Sequence, residues 1–223
     1  MNLVQLTKNV YKVESFIELP VNNIKFPVNT WLIKNGRDIY IVDTGVDSLV
    51  ENQMKAAESL GSPKAVFLTH GHSDHIQGAW KWVETYNLPI YAHQDELIYI
   101  NGQAPYPNKD HLEQNRVANI VQPLTNAILN KSGLSYYLTP GHSPGHVIFH
   151  HEKDNVVLCG DLFITSKDGL HPPIRKFSVD MNENIDSGLL IDEIEPNILS
   201  SSHGEDLHYH PDLYKKYVFL YRD

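Results

Sequence analysis

Ala65-Val66-Phe67-Leu68-Thr69-His70-Gly71-His72-Ser73-Asp74-His75 is the stretch on which the fold turns. Its first four residues form a continuous apolar run, β-branched and aromatic in character, which predicts a strand covered on both faces. The run hands the chain to four metal-capable side chains within six residues: His70, His72, Asp74 and His75. In an extended segment alternate residues point the same way, so His70 and His72 can grip one cation. Asp74 and His75 lie beyond the pivot and can turn towards a second. Gly71 is expected to relieve crowding where the backbone bends sharply. The spacing differs from the helical His-Glu-x-x-His pattern, whose histidines sit four apart on one helix face. The competing reading of this motif alone is a solvated polar loop.

Upstream, Thr30 to Ile33, the turn Asn35-Gly36-Arg37-Asp38 and Ile39 to Val42 read as a β-hairpin, because Asn-Gly readily takes positive φ. Its second strand ends in Asp43-Thr44-Gly45. Val4 to Phe16 reads as one or two edge strands. Asp47 or Ser48 would cap a helix running to about Leu60 and closed by Gly61. Downstream, a helix from about Gln77 to Tyr86 precedes a strand at Ile90-Tyr91-Ala92 and a short helix near Glu96. Residues 101 to 125 are polar, contain Pro105, Pro107 and Pro123, and are the least patterned part. The second half offers strands Leu134–Leu138, Val147–His150 and Val156–Leu158. A loop (165–182), a helix Ile185 to Ile194, a strand Ile198–Ser200 and a last helix from Pro211 complete it. The order ββ-α-β-α-β, given roughly twice, predicts an α/β protein: a four-layer αββα sandwich forming one domain over residues 1–223.

Three further strand ends carry metal-capable groups. Thr139-Pro140-Gly141-His142-Ser143-Pro144-Gly145-His146 sets His142 in a tight turn; His146 opens the next strand and reads as structural. A lone His in such a loop is more often an exposed polar residue. Val156-Val157-Leu158-Cys159-Gly160-Asp161 ends an apolar strand in a carboxylate, whose burial is costly unless cations compensate it. Two metals would do so, and one carboxylate can bridge them; a capping or turn Asp is the plainer alternative. Ile198 to Ser202 delivers His203 into a glycine-flanked loop. Each signal is weak singly, and the joint pattern carries the weight.

Composition narrows the classes. The chain has 223 residues, 41% of them hydrophobic, enough for a substantial core. Its net charge of −9, from 18 basic and 27 acidic side chains, argues against a nucleic-acid partner, which calls for a basic surface. No apolar run approaches the ~20 residues of a membrane helix. Met1 to Gln5 lacks the basic-then-apolar signature of a signal peptide. Cys159 is the sole cysteine, which excludes an intrachain disulfide and favours a cytoplasmic location.

Together these residues resemble the metallo-β-lactamase superfamily. His70-x-His72-x-Asp74-His75 matches its signature, with Asp43-Thr44-Gly45 upstream and His142, Asp161 and His203 following in order. The resemblance covers about Val10 to Gly204 and implies the αββα fold. It also implies that His70, His72 and His142 hold a first metal and that Asp74, His75 and His203 hold a second, with Asp161 bridging. Asp43 would orient a ligand histidine, with Thr69 in support. Zinc is the first choice for such a site, with iron or manganese as alternatives, since ligand affinity alone does not choose.

An Asp at position 161 departs from the B1-type β-lactamases, which carry a cysteine there. The pattern is closer to glyoxalase II and the acyl-homoserine lactonases. About twenty residues follow His203, so the helical region with which glyoxalase II holds glutathione is expected to be missing. His72 stands where flavodiiron proteins carry a Glu, and no flavodoxin-like domain follows. The missing basic surface and RNA-holding arm disfavour the tRNase Z branch.

The implied chemistry is hydrolysis of an ester, thioester, lactone or related carbonyl of a small molecule by a metal-bridging hydroxide, with Asp74 steering the nucleophile or moving a proton. A mononuclear-iron persulfide dioxygenase, a phosphodiesterase and a non-catalytic metal scaffold are the rival classes. Selectivity is expected from loops 17–28, 101–125 (with neighbouring Tyr99, then Tyr106 and His111) and 163–182 (Phe163, His171, Phe177).

Overall fold

The computed structural model of the chain describes residues 2–18 and 24–222. The first half runs β1 (Asn2–Gln5), β2 (Val10–Glu14), β3 (Phe16–Glu18), β4 (Lys25–Pro27), β5 (Thr30–Asn35), β6 (Asp38–Val42), α1 (Asp47–Leu60) and β7 (Ser62–Phe67). It continues with α2 (Ser73–Ile76), α3 (Ala79–Tyr86), β8 (Ile90–Ala92), α4 (Gln94–Ile100) and β9 (Gln122–Pro123). After α5 (Asn126–Leu129), the second half runs β10 (Leu134–Leu138), β11 (Val147–His151), β12 (Val156–Leu158), β13 (Ile164–Ser166) and β14 (Gly169–His171). Helices α6 (Met181–Ser187) and α7 (Leu190–Ile194), strands β15 (Ile198–Ser200) and β16 (Leu207–His208), and α8 (Asp212–Tyr221) close the fold.

Strand alternation sorts the apolar residues into layers. Leu32, Ile41, Val66 and Leu68 face α1 and α3, meeting Val50, Ala57 and Trp82. Their neighbours Trp31, Ile33, Val42, Ala65 and Phe67 face the other way, against Val147, Phe149, Val156 and Leu158. Ile148, Val157 and Leu199 point outwards again, under Ile185, Ile191, Leu213 and Tyr217 of the second helical layer. The apolar run before His70 is therefore buried on both faces, as its composition predicts. Each fully buried large chain contributes roughly 1.5–3 kcal/mol. The result is an αββα sandwich: a seven-stranded sheet, β1-β2-β5-β6-β7-β8-β9, packed on a five-stranded one, β10-β11-β12-β15-β16.

Topology gathers the strand ends. β6 and β7 are parallel, and so are β12 and β15. β10 runs the same way as β12, because both are antiparallel to β11. The carboxyl ends of these strands meet at one edge, where open α/β sheets commonly place ligands. The sheets join there directly: Val147 N–H donates to Thr69 O at 2.9 Å and Asn29 N–H to Ser202 O at 2.8 Å.

Several expectations are adjusted. β2 is an interior strand between β1 and β5. Helix α1 starts at Asp47 without a side-chain cap, because the Asp47 carboxylate instead accepts the Trp80 indole N–H at 2.6 Å. The helix expected from about Gln77 to Tyr86 is α3, which starts two residues later, at Ala79; a Cβ at the preceding Gly78 would lie 2.7 Å from Thr44 O, and the separate turn α2 comes before it. The helix expected over 185–194 begins earlier, where the Asp180 carboxylate caps Asn182 and Glu183 N–H, and it breaks after Ser187. The loop 165–182 contains a hairpin, β13-β14.

Candidate metal centre

Every one of the seven expected side chains lies at this edge. His70 and His72 follow β7, Asp74 and His75 start the single turn of α2, His142 sits beyond β10, Asp161 beyond β12 and His203 beyond β15. Three groupings have donor atoms within 4.8 Å of one another: His70, His72 and His142; His70, His75 and Asp161; Asp74, His75 and His203. The nearest pairs are closer. His70 Nε2 is 3.1 Å from His72 Nδ1, which is 3.0 Å from His142 Nε2. Asp161 reaches both sides, Oδ2 lying 3.3 Å from His142 Nε2 and Oδ1 lying 3.3 and 3.2 Å from His75 and His203 Nε2. Asp74 Oδ2 is 3.3 Å from His203 Nε2. Donors around one tetrahedral zinc at 2.0–2.1 Å stand ~3.3 Å apart, so these spacings fit the edges of two such polyhedra.

The outward hydrogen bonds fix which imidazole nitrogens face inwards. Thr69 O–H donates to Asp43 Oδ2 at 2.7 Å, so its oxygen accepts His70 Nδ1–H at 3.1 Å. Asp43 Oδ2 also accepts His75 Nδ1–H at 2.9 Å. Ser178 O–H donates to Ile174 O and accepts His142 Nδ1–H at 3.0 Å. Pro27 O, an acceptor only, takes His203 Nδ1–H at 2.7 Å. Four imidazoles thus spend their outer proton away from the pocket and present a bare Nε2 to it when neutral. His72 alone faces inwards with Nδ1. Among the described residues, the buried His75 Nε2 and Asp161 Oδ1 have no hydrogen-bond partner. Such orphans are costly, and a cation between them would satisfy both.

Electrostatics divides the cluster. Burial and neighbouring imidazoles push His70 and His72 well below the ordinary histidine value, and burial brings His142 down to about 4. Burial also opposes charge on His75 and His203, but carboxylates overrule it. Asp161, Asp74 and Asp43 hold His75 well above its usual value, while Asp161 and Asp74 lift His203 to about 10. Asp161 is itself held far below the carboxylate range by His203, His75 and His142, against its burial.

The supporting residues are only partly those expected. Asp43 is fully buried, adopts a left-handed backbone (φ 57°), and accepts Thr69 N–H at 2.8 Å besides the two bonds above. Thr69 supports it as the resemblance implies. His146 has a more particular place than a structural one. Its Nδ1–H donates to Thr139 Oγ1 at 2.9 Å, leaving Nε2 to accept the Asp161 backbone N–H at 3.0 Å. Gly160 makes room for that contact, since a Cβ there would lie 2.6 Å from His146 Nε2.

The role of Glu96 escaped the sequence reading, which placed only a short helix there. It is fully buried in α4 and accepts Gly71 N–H (3.0 Å), Tyr106 O–H (2.6 Å), Ser143 O–H (2.5 Å) and Gly145 N–H (2.8 Å). One carboxylate thereby clamps the His70–His72 loop to the His142 loop. Gly71 is required by crowding from this clamp rather than by a bend: a Cβ would sit 2.5 Å from Tyr106 Oη and 2.6 Å from Ile100 Cγ1. A Glu in a helix pattern looks solvent-facing, and only the positions of both loops reveal otherwise.

A cavity of about 430 Å³ opens over His72, Asp74, His142, Asp161 and His203. Each of the three expected loops contributes to it, but mostly through other side chains. Ile17 and Phe26, Lys109, and Ile164, Ile174 and Phe177 line the walls. Of the side chains named beforehand only Phe177 does so. Tyr99 and Tyr106 stack on each other (4.5 Å) behind His72, Phe163 is core, His171 bonds Ser166 and Tyr221, and His111 is exposed beside Asp110. Residues 19–23 of the first loop lie outside those described.

A model of the Metallo-beta-lactamase superfamily matches residues 24–203, and with this centre at the edge of an αββα sandwich the chain belongs to that superfamily. It is 57% identical over 223 residues to the probable metallo-hydrolase YybB of Bacillus subtilis, covering all of both chains. To a hydroxyacylglutathione hydrolase of Francisella philomiragia it is 29% identical over 137 residues, 60% of this chain and 46% of that one. The crystal structure of a metallo β-lactamase from Hirschia baltica shares the fold at TM-score 0.74 and 16% identity, covering 100% of this chain and 98% of that one. No helix among the described residues is long and apolar enough to cross a membrane.

Proposed function

We propose that the chain is a hydrolase of small carbonyl substrates (an ester, thioester or lactone) that works with two divalent cations, zinc in the first instance. His70, His72 and His142 hold one, Asp74, His75 and His203 the other, and Asp161 lies between them. The supporting observation is the convergence of ring nitrogens: four imidazoles bind outwards through Nδ1–H and turn Nε2 towards one buried carboxylate. Cations held by these residues would supply a nucleophile from water near neutral pH and polarise the substrate carbonyl.

The chain's own groups supply the rest. Asp43, through Thr69 and His75, fixes ring orientation in both halves of the centre. Asp161 contributes its negative charge to both. Asp74 has the most exposed side chain of the two inner carboxylates, 28% against 9%, and faces the cavity, so it accepts the nucleophile's proton and passes it to the leaving group. The apolar walls exclude water from the reacting carbonyl. Because residues from 43 to 203 and from both sheets build the centre, residues 1–223 act as one domain.

The 57% relative bears the name of a probable metallo-hydrolase, and the weaker one that of a hydroxyacylglutathione hydrolase. Elemental analysis should find two cations per chain, and a panel of thioester, lactone and β-lactam substrates should reveal turnover. Replacing His72 or Asp161 with Ala should abolish it; variants as active as the parent would refute the reading, and one iron with oxygen uptake would replace it.

A further inference from the structure

Among the described residues that line the cavity, Lys109 is the one lysine or arginine, and it stands in a largely apolar wall. It comes from the 101–125 segment, whose pattern says nothing about it. The ammonium is not loose: its side chain is 20% exposed, it donates to Glu113 Oε1 at 2.5 Å, and it stands 5.1 Å from the centre of the Tyr106 ring. An ammonium has three N–H donors, so this pairing leaves donors for a ligand. Its position is on the His72 side of the metal groups, since Tyr106 packs edge-on against His72 at 4.9 Å.

The surroundings strengthen the case. The chain carries a net charge of −9, which disfavours anions in general. Yet Lys109 shares the cavity lining with the apolar Ile164, Ile174 and Phe177. One basic side chain therefore stands among apolar ones beside the metal-capable groups of an acidic molecule. The opposite wall, Phe26 with its ring 4.5 Å from His203, is apolar. A carbonyl compound seated on the centre would meet a cation at one end and hydrocarbon at the other.

We propose that Lys109 is a specificity-determining residue that binds an anionic oxygen group, carboxylate or phosphate, on the acyl portion of the substrate. This inference rests on the hydrolase reading above and names its substrate class: acidic esters or thioesters with an apolar leaving portion. Lys109 binds and orients the substrate and takes no part in proton transfer. A partly buried, pre-positioned ammonium makes a charge-assisted bond with little ordering cost.

The test compares an aryl monoester of glutaric acid with the aryl ester of pentanoic acid, equal in length and differing in the terminal carboxylate. Zinc-loaded protein should prefer the acidic ester in kcat/KM. Lys109→Ala should reduce the ratio of the two by about tenfold or more, as loss of a hydrogen bond to a charged group predicts. Lys109→Glu should invert it, Lys109→Arg should retain most of it, and Glu113→Gln should raise it by freeing the ammonium. An aryl ester carrying a terminal phosphate in place of the carboxylate tells the two anions apart. Equal rates on acidic and neutral esters in the parent, or an equal fall on both in Lys109→Ala, would overturn the assignment. If the parent cleaves neither, the hydrolase reading fails, and calorimetry still decides this one: Lys109→Ala must weaken binding of glutarate more than of pentanoate, with metal content and melting temperature as checks on folding.

Discussion

The two halves of the proposed metal centre each offer three donor side chains, in opposite electrostatic settings. The half built from His70, His72 and His142 consists of imidazoles that burial keeps neutral, His142 down to about 4. The half built from Asp74, His75 and His203 sets two imidazoles among Asp161, Asp74 and Asp43, which keep them protonated, His203 up to about 10. The difference follows from what surrounds each. Glu96 braces the first half through backbone and hydroxyl groups of its loops and does not touch the imidazoles. Asp43 braces the second by bonding an imidazole directly. The first half is therefore ready for a cation as folded, while the second holds protons that a cation must displace.

Asp161 is common to both halves, so its loss should have the largest effect. Asp161→Ala should lower kcat by on the order of 10³-fold or more and leave fewer than two cations per chain by elemental analysis. Retention of both cations would show that the halves do not share it. Glu96→Gln comes next and acts on the first half alone. An amide cannot accept all four donors, and losing hydrogen bonds to a charged group should destabilise the fold by about 2–4 kcal/mol. In a chain of this size that is a fall of roughly 5–15 °C in melting temperature by calorimetry. An unchanged melting temperature would mean that the two loops hold their positions without the clamp.

The same contrast explains what the sequence could disclose. The sandwich was legible because residues 65–68 are apolar without interruption and turn punctuation bounds most strands; Leu134–Leu138, Val156–Leu158 and Ile198–Ser200 fall where expected. The metal-capable residues were legible because each follows a strand, and parallel strands bring their ends to one edge. Glu96, His146 and Lys109 were not. Each acts through partners distant in the chain: Glu96 through Gly71 and Gly145, His146 through Asp161, Lys109 through a cavity wall shared with residues 164–177. No local pattern distinguishes a clamp from a solvated glutamate. The later start of helix α3 was hidden for a related reason, since the packing of Gly78 against Thr44 is a tertiary contact.

Asp43→Asn should act mainly on the second half. The amide group would set a donor against Thr69 N–H, Thr69 O–H or His75 Nδ1–H, loosening the His75 ring. A loss of about 10–100-fold in affinity for one cation of the two is expected, read by competition with a chromogenic chelator. Equal weakening of both would show that Thr69 transmits Asp43 to His70 as strongly as to His75, and the halves would no longer be separable.

The finest distinction is in protons. Metal binding requires bare Nε2 atoms, so at pH 8 loading the second half should release up to two protons, from His75 and His203, and loading the first half none. Calorimetry in buffers of different ionisation heat counts them, and equal release from both steps would break the comparison. The same shifts govern the metal-free protein. His203 is raised from the ordinary 6.5 to about 10, so its contribution to stability is complete below pH 6.5 and is lost as pH rises through about 10. Asp161 is lowered from 3.8, so its contribution is complete above pH 3.8 and lost on acidification below it. Because these groups face one another they titrate as a unit, and their contributions describe one interaction rather than separate ones. Metal-free protein should therefore lose stability in denaturant melts between pH 7 and pH 10.5. Metal-loaded protein, in which cations have replaced those protons, should lose less over the same interval.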